Sequence, residues 1–206
     1  MSLFCEVAAM KIADAIRIVT TCAKEYDAEL AGRNILFLYG SEAQYIECSF
    51  SAKNFLHLTG IEYNGSPADF YRHCLAGKLS PASVRMAANG TTQLKLEVLP
   101  QLVHIHRKAK MVGLYGGTRV RLNTETLAGS ITACMGFIRD GNYHVPNTAL
   151  KEDIRNLTSS THKVLLVLRK EIRAPLYNEI CYMAKGINID APNIKAILEC
   201  KAVLDR

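Results

Sequence analysis

His57 and Thr59 stand two residues apart in Lys53-Asn54-Phe55-Leu56-His57-Leu58-Thr59-Gly60-Ile61, an apolar run closed by a turn glycine. In an extended segment, side chains two apart share a face. The imidazole and the hydroxyl would then project together into a cleft while Phe55, on the same parity, anchors the segment. An imidazole gives or takes a proton near neutrality, and a hydroxyl beside it can orient it or bond an anionic oxygen. The alternative for a lone histidine among leucines is a hydrogen-bonded, half-buried structural residue.

Other chemistry is sparse. The seven cysteines, Cys5, Cys22, Cys48, Cys74, Cys134, Cys181 and Cys200, are widely spaced without a Cys-x-x-Cys pair and read as small buried hydrophobes. His104-x-His106 comes nearest to metal-ligand spacing, but no cysteine or carboxylate lies close by in sequence, so no metal is expected. A net charge of +6 favours an acidic partner: nucleic acid, an anionic membrane surface or an acidic protein. The positive charge gathers in His104, His106, Arg107, Lys108 and Lys110, in Arg119 and Arg121, and in Lys163, Arg169, Lys170 and Arg173. Two of these clusters converging would make a phosphate-binding surface; solvated helix ends are the plainer reading.

A chain of 206 residues, 49% apolar and 21% charged, suits one globular domain spanning 1–206. No apolar run reaches the roughly 20 residues needed to cross a bilayer. Glu6, Lys11 and Asp14 interrupt any signal-peptide pattern, so a cytoplasmic location is expected.

The elements that must position these groups follow from periodicity. Leu3 to about Leu30 reads as one amphipathic helix, with Val7, Met10, Ile12, Ala15, Ile16, Val19 and Ala23 on its apolar face and Gly32 as its stop. Asn34 to Tyr39 and Tyr45 to Phe50 form an antiparallel hairpin about Gly40-Ser41-Glu42. Ser66 caps a helix that opens at Pro67, gains charge from Asp69 and ends at Gly77. Thr92 to about Lys108 reads as helix with Leu94, Val98, Leu102 and Ile105 on one stripe, kinked or split at Pro100. Strands are expected over Met111 to Tyr115, Arg119 to Leu122 and Ile131 to Ile138, with a hairpin turn at Gly116-Gly117 and Leu127-Ala128-Gly129 as an extension of the third. Tyr143 to Pro146 reads as a loop before a short helix near Ala149 to Leu157. His162 to Ile172 is a strand with Leu176 to Ala184 as its antiparallel neighbour, and a last helix runs from near Pro192 to about Leu204 on the outside. With no internal repeat or linker, the class is α+β.

The segment Phe55-Leu56-His57-Leu58-Thr59-Gly60-Ile61 is followed by Asp69-Phe70-Tyr71, Thr92-x-x-Lys95-Leu96, Gly113-x-Tyr115, Gly129, Tyr143-x-x-Pro146 and Lys163-Val164. Together these resemble the phage-associated nuclease-like families related to barnase, EndoU, colicin toxins and RelE (PBECR), most closely the fourth group. The resemblance covers about residues 35–183, leaving the terminal helices as additions. It implies helices packed on one side of an antiparallel sheet and a metal-independent ribonuclease of phage or mobile-element origin, toxin-like, cytoplasmic and without a cofactor. RNA is the implied partner, with an inhibitor or immunity protein as toxins have.

The implied reaction is attack of the ribose 2′-hydroxyl on the adjacent phosphate, which needs a base, an acid and a cation for the phosphorane charge. On the resemblance His57 is the acid or base, Thr59 orients it, Lys95 supplies fixed charge, Tyr115 bonds phosphate or stacks on a base, and Thr132 and Lys170 complete the catalytic group from strands. Arg119, Arg121, Tyr143 and Lys163 are the candidates for holding substrate, with Tyr143 and His144 as a gate. No glutamate stands beside the histidine to form an obvious acid–base pair. Two other classes compete: a non-catalytic module that binds nucleic acid or protein on the same surface, and a structural protein that dimerises through its terminal helices.

Overall fold

The computed structural model describes residues 10–117 and 122–201. α1 (Ile12–Glu29) leads into the hairpin of β1 (Arg33–Tyr39) and β2 (Gln44–Phe50). A 3-10 turn at Ala52–Asn54 runs into α2 (Phe55–Thr59), and β3 (Ile61–Tyr63) follows. α3 (Pro67–Leu75) and β4 (Val84–Met86) come next; β3 and β4 form a small sheet of their own. α4 (Thr91–Leu102) and α5 (Ile105–Lys108) precede β5 (Met111–Leu114), β6 (Thr126–Gly129), β7 (Cys134–Asp140) and β8 (Tyr143–Leu150). β9 (His162–Glu171), β10 (Glu179–Met183) and α6 (Pro192–Cys200) complete the described chain.

The expected layer of helices on an open antiparallel sheet needs correction. Strands β1-β2-β8-β7-β6-β5-β9 close into a seven-strand barrel, because β9 returns to β1. β9 is long enough to carry β1 along one edge and both β5 and β10 along the other. All pairings in the ring are antiparallel except one. β2 meets β8 in the parallel sense at a single pair, Cys48 opposite His144. Between these two strands the ring is hardly zipped, and α2 and α4 pack against β8 there.

Alternation along β1 explains the layers. Ile35 and Phe37 pack in one cluster with Val19 and Tyr26 of α1 and Phe55 of α2, whereas Leu36 and Leu38 pack with Leu166, Leu168, Tyr177 and Ile194 of α6. A strand buried on both faces reads as a continuous apolar run, as β1 does from Ile35 to Tyr39. The helix faces on which dimerisation would rely are thus turned inward: Ala15, Val19 and Ala23 of α1 and Ile194 of α6 are buried within the chain. Among the described residues no helix is long and apolar enough to cross a membrane.

Several local expectations change. Ile131 and Thr132 lie in the turn between β6 and β7, so the long strand is two. Tyr143 to Leu150 is a strand, not a loop and helix, and only a 3-10 turn (Ile154–Asn156) follows it. Pro146 is tolerated there because the β7–β8 register shifts beside its partner Phe137, so the strand loses no regular ladder bond. The helix around Pro100 splits as expected, restarting as α5. Gly116 and Gly117 of the expected turn are described, but residues 118–121, and with them most of the expected strand from Arg119, lie outside the described residues, as does the chain before Met10.

Candidate active site

The His57 segment is helical. Ser51 and Asn54 form a reciprocal cap, with the Ser51 N–H and Oγ both donating to Asn54 Oδ1 at 3.0 and 2.6 Å. Phe55, Leu58 and Thr59 then fall on the buried side of α2, and Phe55 meets the rings of Tyr26, Phe70 and Tyr71. His57 is left on the exposed side, with no hydrogen bond from its ring among the described residues. This overturns the shared face expected for an extended segment, because a helix turns His57 and Thr59 apart. Thr59 Oγ1 donates to the Leu56 carbonyl (2.8 Å) and accepts from the Ile61 N–H (3.1 Å), which fastens the helix end.

Gly60 ends α2 in the left-handed region (φ +65°), and a Cβ there would lie 2.9 Å from Lys95 Cδ and 3.3 Å from Thr92 Cα. Only glycine lets α4 approach so closely. Thr92 Oγ1 donates to the Gly60 carbonyl, and Lys95 Nζ donates to the His57 carbonyl at 2.9 Å. Burial lowers the Lys95 pKa, and the ammonium makes no ion pair among the described residues. One N–H of the group is used; two remain for a ligand.

Two clefts adjoin along β8 at the poorly zipped seam. The first, about 410 Å³, is lined by Lys53, Asn54 and His57 on the helix side and by Asp140, Val145, Pro146 and Asn147 on the strand side. The second, about 370 Å³, is lined by Leu94 and Lys95 of α4 and by β8 from Thr148 onward. Asn123 lines the first and Leu122 the second, so one stretch of chain flanks both.

Asn123, Asn147, Thr148 and Asp140 were not singled out from sequence. Gly136 was the available signal: a Cβ there would lie 2.6 Å from Thr124 Oγ1, 2.7 Å from Thr148 Cγ2 and 3.3 Å from Asn147 Oδ1. A glycine inside an apolar strand marks such a close approach. Asn147 donates its amide to the Asn123 carbonyl, and its buried Oδ1 has no partner among the described residues.

Of the six candidate catalytic residues, Lys95 reaches the His57 backbone, with the two side chains lining different clefts, and Thr59 is buried at the end of the same helix. Tyr115 packs under Ile154 and Leu157, its hydroxyl buried without a hydrogen bond among the described residues. Thr132 accepts from Gln101 Nε2 (3.2 Å) at the opposite end of α4 from Lys95. Lys170 lies over the Tyr177 ring at 4.9 Å, on the α6 side of the sheet. Tyr143 opens β8 opposite Asp140, close to the first cleft, whereas Lys163 pairs with Met111 and lines neither cleft. Arg119 and Arg121 lie outside the described residues. His144 sits at the parallel bridge, where burial and Arg139 lower its pKa.

Two basic clusters do converge, but around carboxylates. Arg169 holds Glu29 (2.8 Å) and Glu179 (2.6 Å), and Arg107 and the fully buried His106 approach the same Glu29 oxygen at 3.3 and 3.0 Å. The charges of Arg169 and Arg107 are met by these carboxylates, whereas Lys110 and Lys170 of the same clusters lie over the rings of Tyr182 and Tyr177.

The model of the phage-Barnase-EndoU-ColicinE5/D-RelE like nuclease 4 family matches residues 18–186, from within α1 to beyond β10. The chain belongs to that nuclease-like family. No curated protein and no solved structure matches it significantly.

Proposed function

We propose that the protein is a metal-independent endoribonuclease acting at the cleft beside His57. The observation that carries this reading is Lys95: a half-buried ammonium that lines the second cleft and is fixed to the His57 carbonyl, without a carboxylate partner among the described residues. A desolvated cation with free N–H groups is suited to a phosphate. Family membership supports a nucleic acid as the substrate.

His57, Asp140 and Lys53 are the ionisable side chains among the described residues of the first cleft. Asp140 takes the proton of the ribose 2′-hydroxyl as its oxygen bonds to phosphorus. His57 gives a proton to the departing 5′-oxygen as the phosphorus–oxygen bond breaks, leaving a 2′,3′-cyclic phosphate and a 5′-hydroxyl. Lys95 and Lys53 balance the charge of the phosphorane. Asp140 thereby fills the role for which the sequence offered no neighbouring glutamate.

The test is incubation of the purified chain with labelled RNA in chelator, beside DNA of the same sequence. Cleavage of RNA alone, with cyclic ends, should fall roughly a hundred- to ten-thousand-fold in His57→Ala and Asp140→Asn. Cleavage unaffected in folded His57→Ala would reject the site. Salt-sensitive binding without products would move the assignment to a binding module.

A further inference from the structure

We infer that the second cleft, between α4 and β8, is a nucleobase subsite for the nucleotide whose phosphate rests on Lys95; this rests on the reading above. The occupant follows from what the cleft offers. Its walls carry Leu94, Leu122, Leu150 and Leu157, and its other charged groups are committed elsewhere. Lys151 is held by Glu97, and Glu152 accepts from the Asn156 amide (2.8 Å) and the Asp153 N–H (3.1 Å). Lys95 is therefore the one uncommitted cation of this cleft among the described residues, and its bond to the His57 carbonyl ties it to the helix that borders the polar cleft. An apolar slot beside an uncommitted cation fits a flat, neutral ring tethered to an anion, which describes a nucleotide and not a free anion or an acidic peptide.

Two side chains support a ligand there independently. Leu94 belongs by spacing to the buried stripe of Val98, Leu102 and Ile105, yet it is 51% exposed at the cleft. Thr148 is only 8% exposed and its hydroxyl makes no side-chain hydrogen bond among the described residues. A stacked base would cover the first and a base edge would satisfy the second. The slot continues the histidine cleft along the same strand, so neighbouring units of one nucleic-acid chain can occupy both.

The experiment measures binding, not cleavage, by fluorescence anisotropy of a labelled 2′-O-methyl RNA hexamer and of a hexamer of abasic spacers. Each is titrated with the native chain, Lys95→Ala, Leu94→Ser and Thr148→Val, all checked for native circular dichroism. Lys95→Ala should weaken both oligomers, whereas Leu94→Ser and Thr148→Val should weaken only the base-bearing one, by roughly ten-fold. Leu94 is exposed, so its replacement leaves the core intact. If Leu94→Ser and Thr148→Val leave the base-bearing hexamer unaffected while Lys95→Ala weakens it, the base subsite is overturned and the phosphate anchor stands. If neither oligomer binds, or binding ignores Lys95→Ala, the nucleic-acid reading of the clefts falls and takes the subsite with it.

Discussion

Thr59 and His57 illustrate how neighbouring polar residues divide their work. The Thr59 hydroxyl is wholly buried and bonded on both sides to backbone, so its contribution is to hold the end of α2. Thr59→Val should lower stability by about 1–2 kcal/mol, the usual cost of unpairing buried backbone groups. Denaturant unfolding measures that loss, and cleavage per folded molecule should change little. His57→Ala should behave in the opposite way, because the ring touches no described partner. The residues of the motif were legible in sequence; their geometry was not. Phe55, His57 and Thr59 fit a strand, while Phe55, Leu58 and Thr59 fit a helix, and Tyr26, Phe70 and Tyr71 decide between them from distant parts of the chain.

At the scale of elements, Gly60 is the joint on which the candidate site depends. Its left-handed backbone ends α2, and its missing side chain admits Lys95 and Thr92 of α4. Gly60→Ala should cost about 1–3 kcal/mol from strain and crowding. It should also reduce turnover by displacing Lys95, and comparing Tm with kcat for this variant separates the two effects. Elements with an unambiguous period were legible: β1, β2, β9, β10 and α3 stand near their expected positions. β8 was obscured by Pro146, which argues against a regular strand unless a bulge or an open edge receives it. Asp140 and Asn147 were missed for the same reason, since nothing marked that hairpin as facing His57.

Across the whole molecule, His106 and Glu29 tie stability to pH. Burial, with Arg169 adding to it, lowers the His106 pKa from 6.5 to about 4. The folded protein therefore keeps this imidazole neutral where the unfolded chain protonates it, and stability falls as pH drops from about 6.5 toward 4. Burial pushes the Glu29 carboxyl up, but the Arg169 hydrogen bond and the nearby charge of Arg107 outweigh it and hold the carboxyl below its usual range. Its stabilising effect is present above that range and is lost at still lower pH, in the same direction. Urea midpoints measured from pH 7 to 4 should decline in the native chain and decline less in His106→Gln. A flat profile in the native chain would show that the ring is not kept neutral.

The return of β9 to β1 has a consequence for timing. Arg33 pairs with Glu171 and Tyr39 with Val164, so the ring joins segments far apart in sequence. Closure of so long a loop is a late event in folding, and on the ribosome it waits for the whole of β9 to be synthesised. The histidine segment, α4 and β8 all emerge earlier. An enzyme of the kind proposed would thus lack a closed framework until β9 has left the ribosome, leaving the growing chain before then poorly equipped to attack the RNA that encodes it.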